Sequence, residues 1–198
     1  MKTAITIFSI IVILLLIRFA IRRWLGNFPF KVIIFILILP VVAAIGQKQS
    51  QGFVQRVIDG DTYIINADSY KGKPQTITVR LVNVDCPELY FVAKKTPEQP
   101  YAQEAKDNVK RLIENKIVTL NYYGKDRFGR ILAFVSINNE RLDDIILMNG
   151  WGWSYNKYHS PNEIKRAKKL AEKARLEKNG LWKNEYAVEP SEWRKGNH

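Results

Sequence analysis

Hydrophobic positions along this chain follow three regimes in succession: unbroken aliphatic runs, then short alternating stretches, then recurrence at helical spacing. The aliphatic runs are Ala4–Ile17 and Val32–Ile45. Each has a core of 14 residues, short of the ~20 apolar residues that span a bilayer. With their flanks, 3–21 and 28–46 are long enough. The basic residue that each then includes, Arg18 or Lys31, can snorkel to the headgroups. Trp24 and Phe28 sit where interfacial aromatics belong, and Gly26, Asn27 and Pro29 supply a turn. The alternative is a buried soluble hairpin, which has no use for runs so uniformly aliphatic. One or two N-terminal transmembrane helices are therefore expected within 1–46. Arg18, Arg22, Arg23 and Lys31 concentrate positive charge at the loop between the runs. The positive-inside rule then puts that loop in the cytoplasm and everything after Gly46 on the extracytoplasmic side. Val32–Ile45 also reads as the h-region of a late signal peptide, with small-residue cleavage sites at Val42-Ala43-Ala44 and Ala44-Ile45-Gly46. Cleavage would secrete the rest of the chain and retention would tether it to the membrane; both readings export it.

After a linker at 47–52 the period changes. Phe53–Ile58 and Tyr63–Asn66 are short β-branched runs joined through Asp59-Gly60, a strong hairpin signal. Thr76–Val84 reads as a third strand, and Ile117–Tyr123 and Ile131–Ile137 as a fourth and fifth around the polar loop Gly124–Arg130. Helical spacing predicts a helix over about Pro100–Asn115, with Ala102, Ala105, Val109, Leu112 and Ile113 on one face. A short helix is expected over Arg141–Met148. A last one starts at Ser160-Pro161, with Glu163 completing a capping box, and stops at Asn179-Gly180. Its basic residues, Lys165, Arg166, Lys168, Lys169, Lys173 and Arg175, are most simply a solvated face. The predicted fold is α+β: a five-stranded OB-type Greek-key barrel with three helices over 53–183, followed by an irregular tail at 184–198.

Charge and cysteine content narrow the partners. The formal net charge is +12. Residues 1–46 hold five basic residues and no acidic one, which leaves 26 basic against 19 acidic residues beyond them. The exported part is thus basic in its own right, which suits a polyanionic partner, either nucleic acid or an anionic membrane surface. Cys86 is the single cysteine, so no intrachain disulfide forms. With only His159 and His198 besides, the donors for a cysteine- or histidine-ligated zinc site are missing.

Cutting a phosphodiester needs positive charge on the non-bridging oxygens, a carboxylate to act on water, and stabilisation of the leaving oxygen. Three segments at strand ends supply such groups: Asp59-Gly60-Asp61-Thr62, Arg80 through Asp85-Cys86-Pro87-Glu88, and Asp126-Arg127-Phe128-Gly129-Arg130. Each has a structural explanation when taken alone, as a turn, a strand stop or a solvated charge. Taken in this order, with Gly180-Leu181-Trp182 closing the pattern, they resemble the staphylococcal (micrococcal) nuclease family, over about Phe53 to Trp182.

The resemblance implies an OB-type barrel and a calcium-dependent endonuclease that hydrolyses DNA and RNA to 3′-phosphorylated products. It makes Asp61, Asp85 and the backbone carbonyl of Cys86 ligands of Ca²⁺. Arg80 and Arg130 become the clamp on the scissile phosphate, Arg130 also assists the leaving 5′ oxygen, and Glu88 acts on the attacking water. So few protein ligands imply weak binding, on the scale of extracellular calcium. Cys86 and Phe128 depart from the family's usual threonine and tyrosine. Tyr155 and Tyr158 are candidate nucleotide-binding residues through base stacking. Trp151 and Trp153 nearby are candidates for core or for bilayer contact. The alternative function is a non-catalytic OB-fold nucleic-acid-binding or scaffold module. It would need the basic residues but not Asp61, Asp85 and Glu88 together. A lipid-surface adaptor would explain the charge but not the carboxylates. No protein partner is evident.

Overall fold

The computed structural model describes residues 13, 16, 19, 49–90, 97–155 and 160–196. The chain divides into two units, Met1–Gly46 and Gln47–His198. Both predicted membrane segments, 3–21 and 28–46, lie outside the described residues except for Ile13, Leu16 and Phe19. These three are helical and exposed. Among the described residues no helix is long and apolar enough to cross a membrane.

The second unit is built on β1 (Gln49–Asp59), β2 (Thr62–Tyr70), β3 (Lys73–Leu81), β5 (Ile117–Lys125) and β6 (Ile131–Ile137). Antiparallel pairing runs in the order β3-β2-β1-β5-β6, and a parallel pairing of β3 with β6 closes the ring. Closure leaves no long unpaired edge in the barrel. Register shifts in β1 near Gln55 and Ile58, and in β5 near Tyr123, supply the bends that a small barrel requires. Side chains alternate as the strand period demands: Val54, Tyr63, Ile65, Val79, Leu120 and Val135 fill the interior with essentially no exposure. The predicted five-stranded barrel is present.

Helix α1 (Ala102–Ile113) lies against the barrel, burying Ala102, Ala105, Val109 and Ile113 at the predicted spacing, with Leu112 at the margin. Helix α2 (Leu142–Met148), entered through the two-residue strand β7 (Glu140–Arg141), packs on β6 and on α3 (Pro161–Leu176). Ser160 caps α3 by accepting the Glu163 main-chain N–H. The Glu163 carboxylate does not complete the predicted box; it is taken by Arg141 and Asn83 instead.

Several sequence expectations need correction. The stretch 47–52, expected as a linker, belongs from Gln49 onward to β1, where it pairs with β5. The strand expected over Thr76–Val84 breaks at Leu81, because Asn83 adopts a left-handed φ of 67°. The chain beyond it, β4 (Val84–Asp85), leaves the barrel to pair with β8 (Trp153–Ser154). Helix α3 ends at Leu176 rather than at Asn179-Gly180. Those two residues begin a 3-10 turn over Gly180–Lys183, where Gly150 and Gly180 approach too closely for any side chain. The tail is also ordered: after Trp182 the chain forms a fourth helix, α4 (Pro190–Trp193), with Trp193 buried.

Gly60 is fixed by packing. A Cβ there would lie 2.7 Å from both Cβ and Sγ of Cys86. Gly60→Ala should therefore cost about 1–3 kcal/mol in urea unfolding. Gly124→Ala, where a Cβ meets nothing within 4 Å, should stay within about 0.5 kcal/mol of the parent.

Candidate active site

The β1–β2 turn, the end of β3 with β4, and the β5–β6 turn converge at one end of the barrel. In the first, Asp59 Oδ1 accepts the Asp61 N–H at 3.0 Å, and the buried Tyr63 hydroxyl donates to the Gly60 carbonyl at 2.8 Å. The resulting tight turn sets Asp61 at the start of β2. There Thr62 stands in register with Arg80 of β3.

Asn83 decides where the chain goes next. Its Nδ2 donates to the fully buried Asp143 at 3.0 Å and to Glu163 at 3.2 Å. Arg141 pairs with both of those carboxylates, at 2.5 and 2.9 Å. This network anchors the turn in a low-dielectric setting where unpaired charges would be costly. The turn swings Asp85 back toward Asp61. The Cys86 N–H then donates to Asp61 Oδ2 at 2.8 Å, tying the two segments together.

Two carboxylates thus come together out of water: Asp61 is 5% and Asp85 4% exposed. Arg80 bridges them, with Nη1 on Asp61 and Nη2 donating to Asp85 Oδ1 at 2.7 Å. Glu88 follows on the same segment. Burial pushes its carboxyl above the ordinary value, against the opposing pull of Arg194. Its main chain is clamped by Gln99, whose Oε1 accepts the Glu88 N–H at 3.0 Å and whose N–H donates to the Glu88 carbonyl at 2.8 Å.

Arg130 is aimed from the third segment by Asp126. Asp126 Oδ1 accepts the N–H groups of Phe128 and Arg130, and Oδ2 accepts Arg130 Nε at 2.7 Å. Burial alone would raise the Asp126 carboxyl. The Arg130 guanidinium and the two N–H bonds outweigh that and hold it below its ordinary value. Arg130 Nη1 reaches Thr62 Oγ1 at 3.4 Å, and that hydroxyl donates to Asp61 Oδ1 at 3.1 Å. The exposed Phe128 ring lies beneath the guanidinium groups of Arg127 and Arg130, at 4.8 and 5.6 Å from the ring centre.

The structure thus joins Asp61, Arg80, Asp85, Glu88 and Arg130 through one set of ion pairs and hydrogen bonds. Cys86 contributes its main-chain N–H, and burial pushes its thiol well above the ordinary value. Tyr155 is half-buried and donates its N–H to the Asn83 carbonyl at 2.8 Å, on the β4–β8 side. Tyr158 lies outside the described residues. Trp153 is buried edge-to-face against Trp182, and Trp151 is partly buried against the core.

Sequence reasoning missed Gln99 and Arg194, and it gave no role to Asn83 or Asp126 within the segments it named. Asp126 had a readable signal, an acid four residues before Arg130 across a Gly turn. Arg194 had none: it reaches Asp85 and Glu88 from more than 100 residues away.

As a metal site, the arrangement offers two buried carboxylates, hard donors that fit a hard divalent cation. Among the described residues no group of three His, Cys, Asp or Glu side chains is placed to hold an ion. Water and substrate oxygens would have to complete the shell.

Residues 78–184 match the family model described as staphylococcal nuclease homologue. The chain is similar to a thermonuclease of Staphylococcus hyicus, 41% identical over 138 residues that cover 66% of this chain and 75% of that protein. It is similar to an uncharacterized endonuclease of Escherichia coli, 33% identical over 163 residues that cover 82% of this chain and 94% of the relative. A thermonuclease of Staphylococcus intermedius is 38% identical over 130 residues, 62% of this chain and 72% of its own length.

Asp126→Asn tests how Arg130 is held. The folded-state pKa of Asp126 is depressed, so its contribution is present above the unfolded-state pKa and is lost as pH falls through the folded one. The variant should be less stable by about 1 kcal/mol near neutrality, a charge-assisted bond discounted for the exposure of Arg130. Denaturant unfolding from pH 7 downward should show that gap closing below about pH 4.

Proposed function

This chain belongs to the staphylococcal nuclease family and is a nuclease hydrolysing phosphodiester bonds, and we propose that it works as an exported, calcium-dependent endonuclease on DNA and RNA. The observation that carries the reading is the pair of buried carboxylates, Asp61 and Asp85, held on Arg80 with Glu88 and Arg130 beside them. A binding module has no need of three converging acids.

In this reading Arg80 and Arg130 grip the scissile phosphate. Their planar forks match its oxygens and the charge that grows on them in the transition state. Glu88 accepts a proton from the attacking water; the rise of its carboxyl on burial makes it a stronger base than an exposed glutamate. The water oxygen bonds to phosphorus as the bond to the 5′ oxygen breaks; Arg130 donates a hydrogen bond to that departing oxygen, which takes a proton from solvent, and Glu88 returns its proton to solvent. The products are a 3′-phosphate and a 5′-hydroxyl. Calcium, held by Asp61, Asp85 and the Cys86 carbonyl, would supply further positive charge at the non-bridging oxygens. The mechanism requires no base-specific contact, which supports action on both nucleic acids.

The same reading gives residues 1–46 to the lipid bilayer, with the nuclease unit on the extracytoplasmic side, or secreted if the segment is cleaved. The uniformly aliphatic runs and the basic loop between them support it.

Digestion of single-stranded DNA, double-stranded DNA and RNA by the purified chain tests the proposal. Activity should require calcium, vanish in chelator, and leave 5′-hydroxyl ends. Glu88→Gln should lower kcat by about 10²–10⁴-fold. Undiminished cleavage in chelator would overturn the metal requirement, and parental activity of Glu88→Gln would overturn the assignment of the base.

A further inference from the structure

The chain leaving α4 enters the site. Arg194, immediately after α4, sets its guanidinium against Asp85, with Nη2 donating to Oδ2 at 2.8 Å and Nη1 to Oδ1 at 3.3 Å. The same Nη1 also pairs with Glu88 Oε1. We propose that Arg194 is a positioning residue of the hydrolysis: it holds the Glu88 carboxylate toward Asp85, where water is activated. The proposal rests on Glu88 acting on that water, as argued above.

Three features support it. First, the arm is built into the fold. Trp193 is buried and its Nε1 donates to the Pro97 carbonyl at 2.9 Å. Gln99, 3% exposed, donates from Nε2 to the Val188 carbonyl at 2.6 Å while its other groups clamp the Glu88 main chain. One buried amide thus fixes the tail and the Glu88 segment relative to each other. Second, Asp61 and Asp85 share Arg80 and Arg130 is engaged by Asp126, so among the described residues Arg194 is the guanidinium found on Glu88. Third, the Glu88 side chain is 32% exposed and has room to take other rotamers. A fixed fork removes that freedom before substrate arrives, and a misplacement of about 1 Å in such a group can cost on the order of 100-fold in rate.

The test uses the full chain with calcium and DNA, comparing the parent, Arg194→Ala, Arg194→Lys, Glu88→Gln and the double variant. The Arg194 side chain is 38% exposed and Asp85 keeps Arg80 without it, so Arg194→Ala should keep a Tm within a few degrees of the parent. We expect its kcat to fall about 10–100-fold with KM little changed. Millimolar guanidinium should partly restore it, and Arg194→Lys should fall between. In the Glu88→Gln background, Arg194→Ala should cost less than about twofold further, because the two residues act as one unit. In crystals of metal-free Arg194→Ala, the Glu88 carboxylate should have left its place.

Unchanged kcat in Arg194→Ala would overturn the proposal, and a rise in kcat would identify the arm as a block. A full additional loss in the Glu88→Gln background would show that Arg194 acts independently of Glu88. A loss that neither guanidinium nor lysine relieves, with a collapsed Tm, would reduce Arg194 to a structural role. If Glu88→Gln itself stays active, the underlying assignment of Glu88 fails instead.

Discussion

Two buried carboxylates share one guanidinium at the mouth of the barrel, and much of the architecture exists to make that tolerable. Taking each charge out of water costs several kcal/mol, and two like charges brought together add to it. Arg80 answers both Asp61 and Asp85 because β2 and β3 hold Thr62 and Arg80 in register and the Asn83 turn brings Asp85 back. Breaking such a pair on one side typically costs about 3–5 kcal/mol, a large share of a domain's total stability of about 5–15 kcal/mol. An arrangement that costly fits a site kept for chemistry rather than for folding.

The same constraint explains the supporting network. Asn83 can hold its left-handed conformation because Asp143 and Glu163, both paired with Arg141, accept from its amide nitrogen. Gly60 can be nothing larger because Cys86 lies against it. Asp126 turns the β5–β6 loop and, with the same carboxylate, directs Arg130. In each case one residue both shapes the backbone and aims a charge.

This dual role also divides what was legible in the sequence from what was not. The barrel strands and α1 were readable because their burial follows periods of two and 3.6 residues, as at Val79 and Leu81 or Ala105 and Val109. Asp61, Arg80, Asp85, Glu88 and Arg130 were readable because each lies in a short motif at a strand end. The break after Leu81 was not readable. Asn83 sits in an apolar stretch that continues the strand pattern, and its side chain is held by residues 60 and 80 positions away. The ordered tail was hidden for the same reason. Nothing near Arg194 marks it, and its place is set by Trp193 on Pro97 and by Gln99 on Val188.

The central claim is that Asp61 and Asp85 form a calcium-dependent phosphate-cleaving centre, and calorimetric titration of calcium into the purified chain tests it most directly. The account predicts one site with a Kd of about 10⁻⁴–10⁻³ M, lost in Asp85→Asn while the fold is retained. Absence of binding to the parent chain, or equal binding to Asp85→Asn, would contradict it.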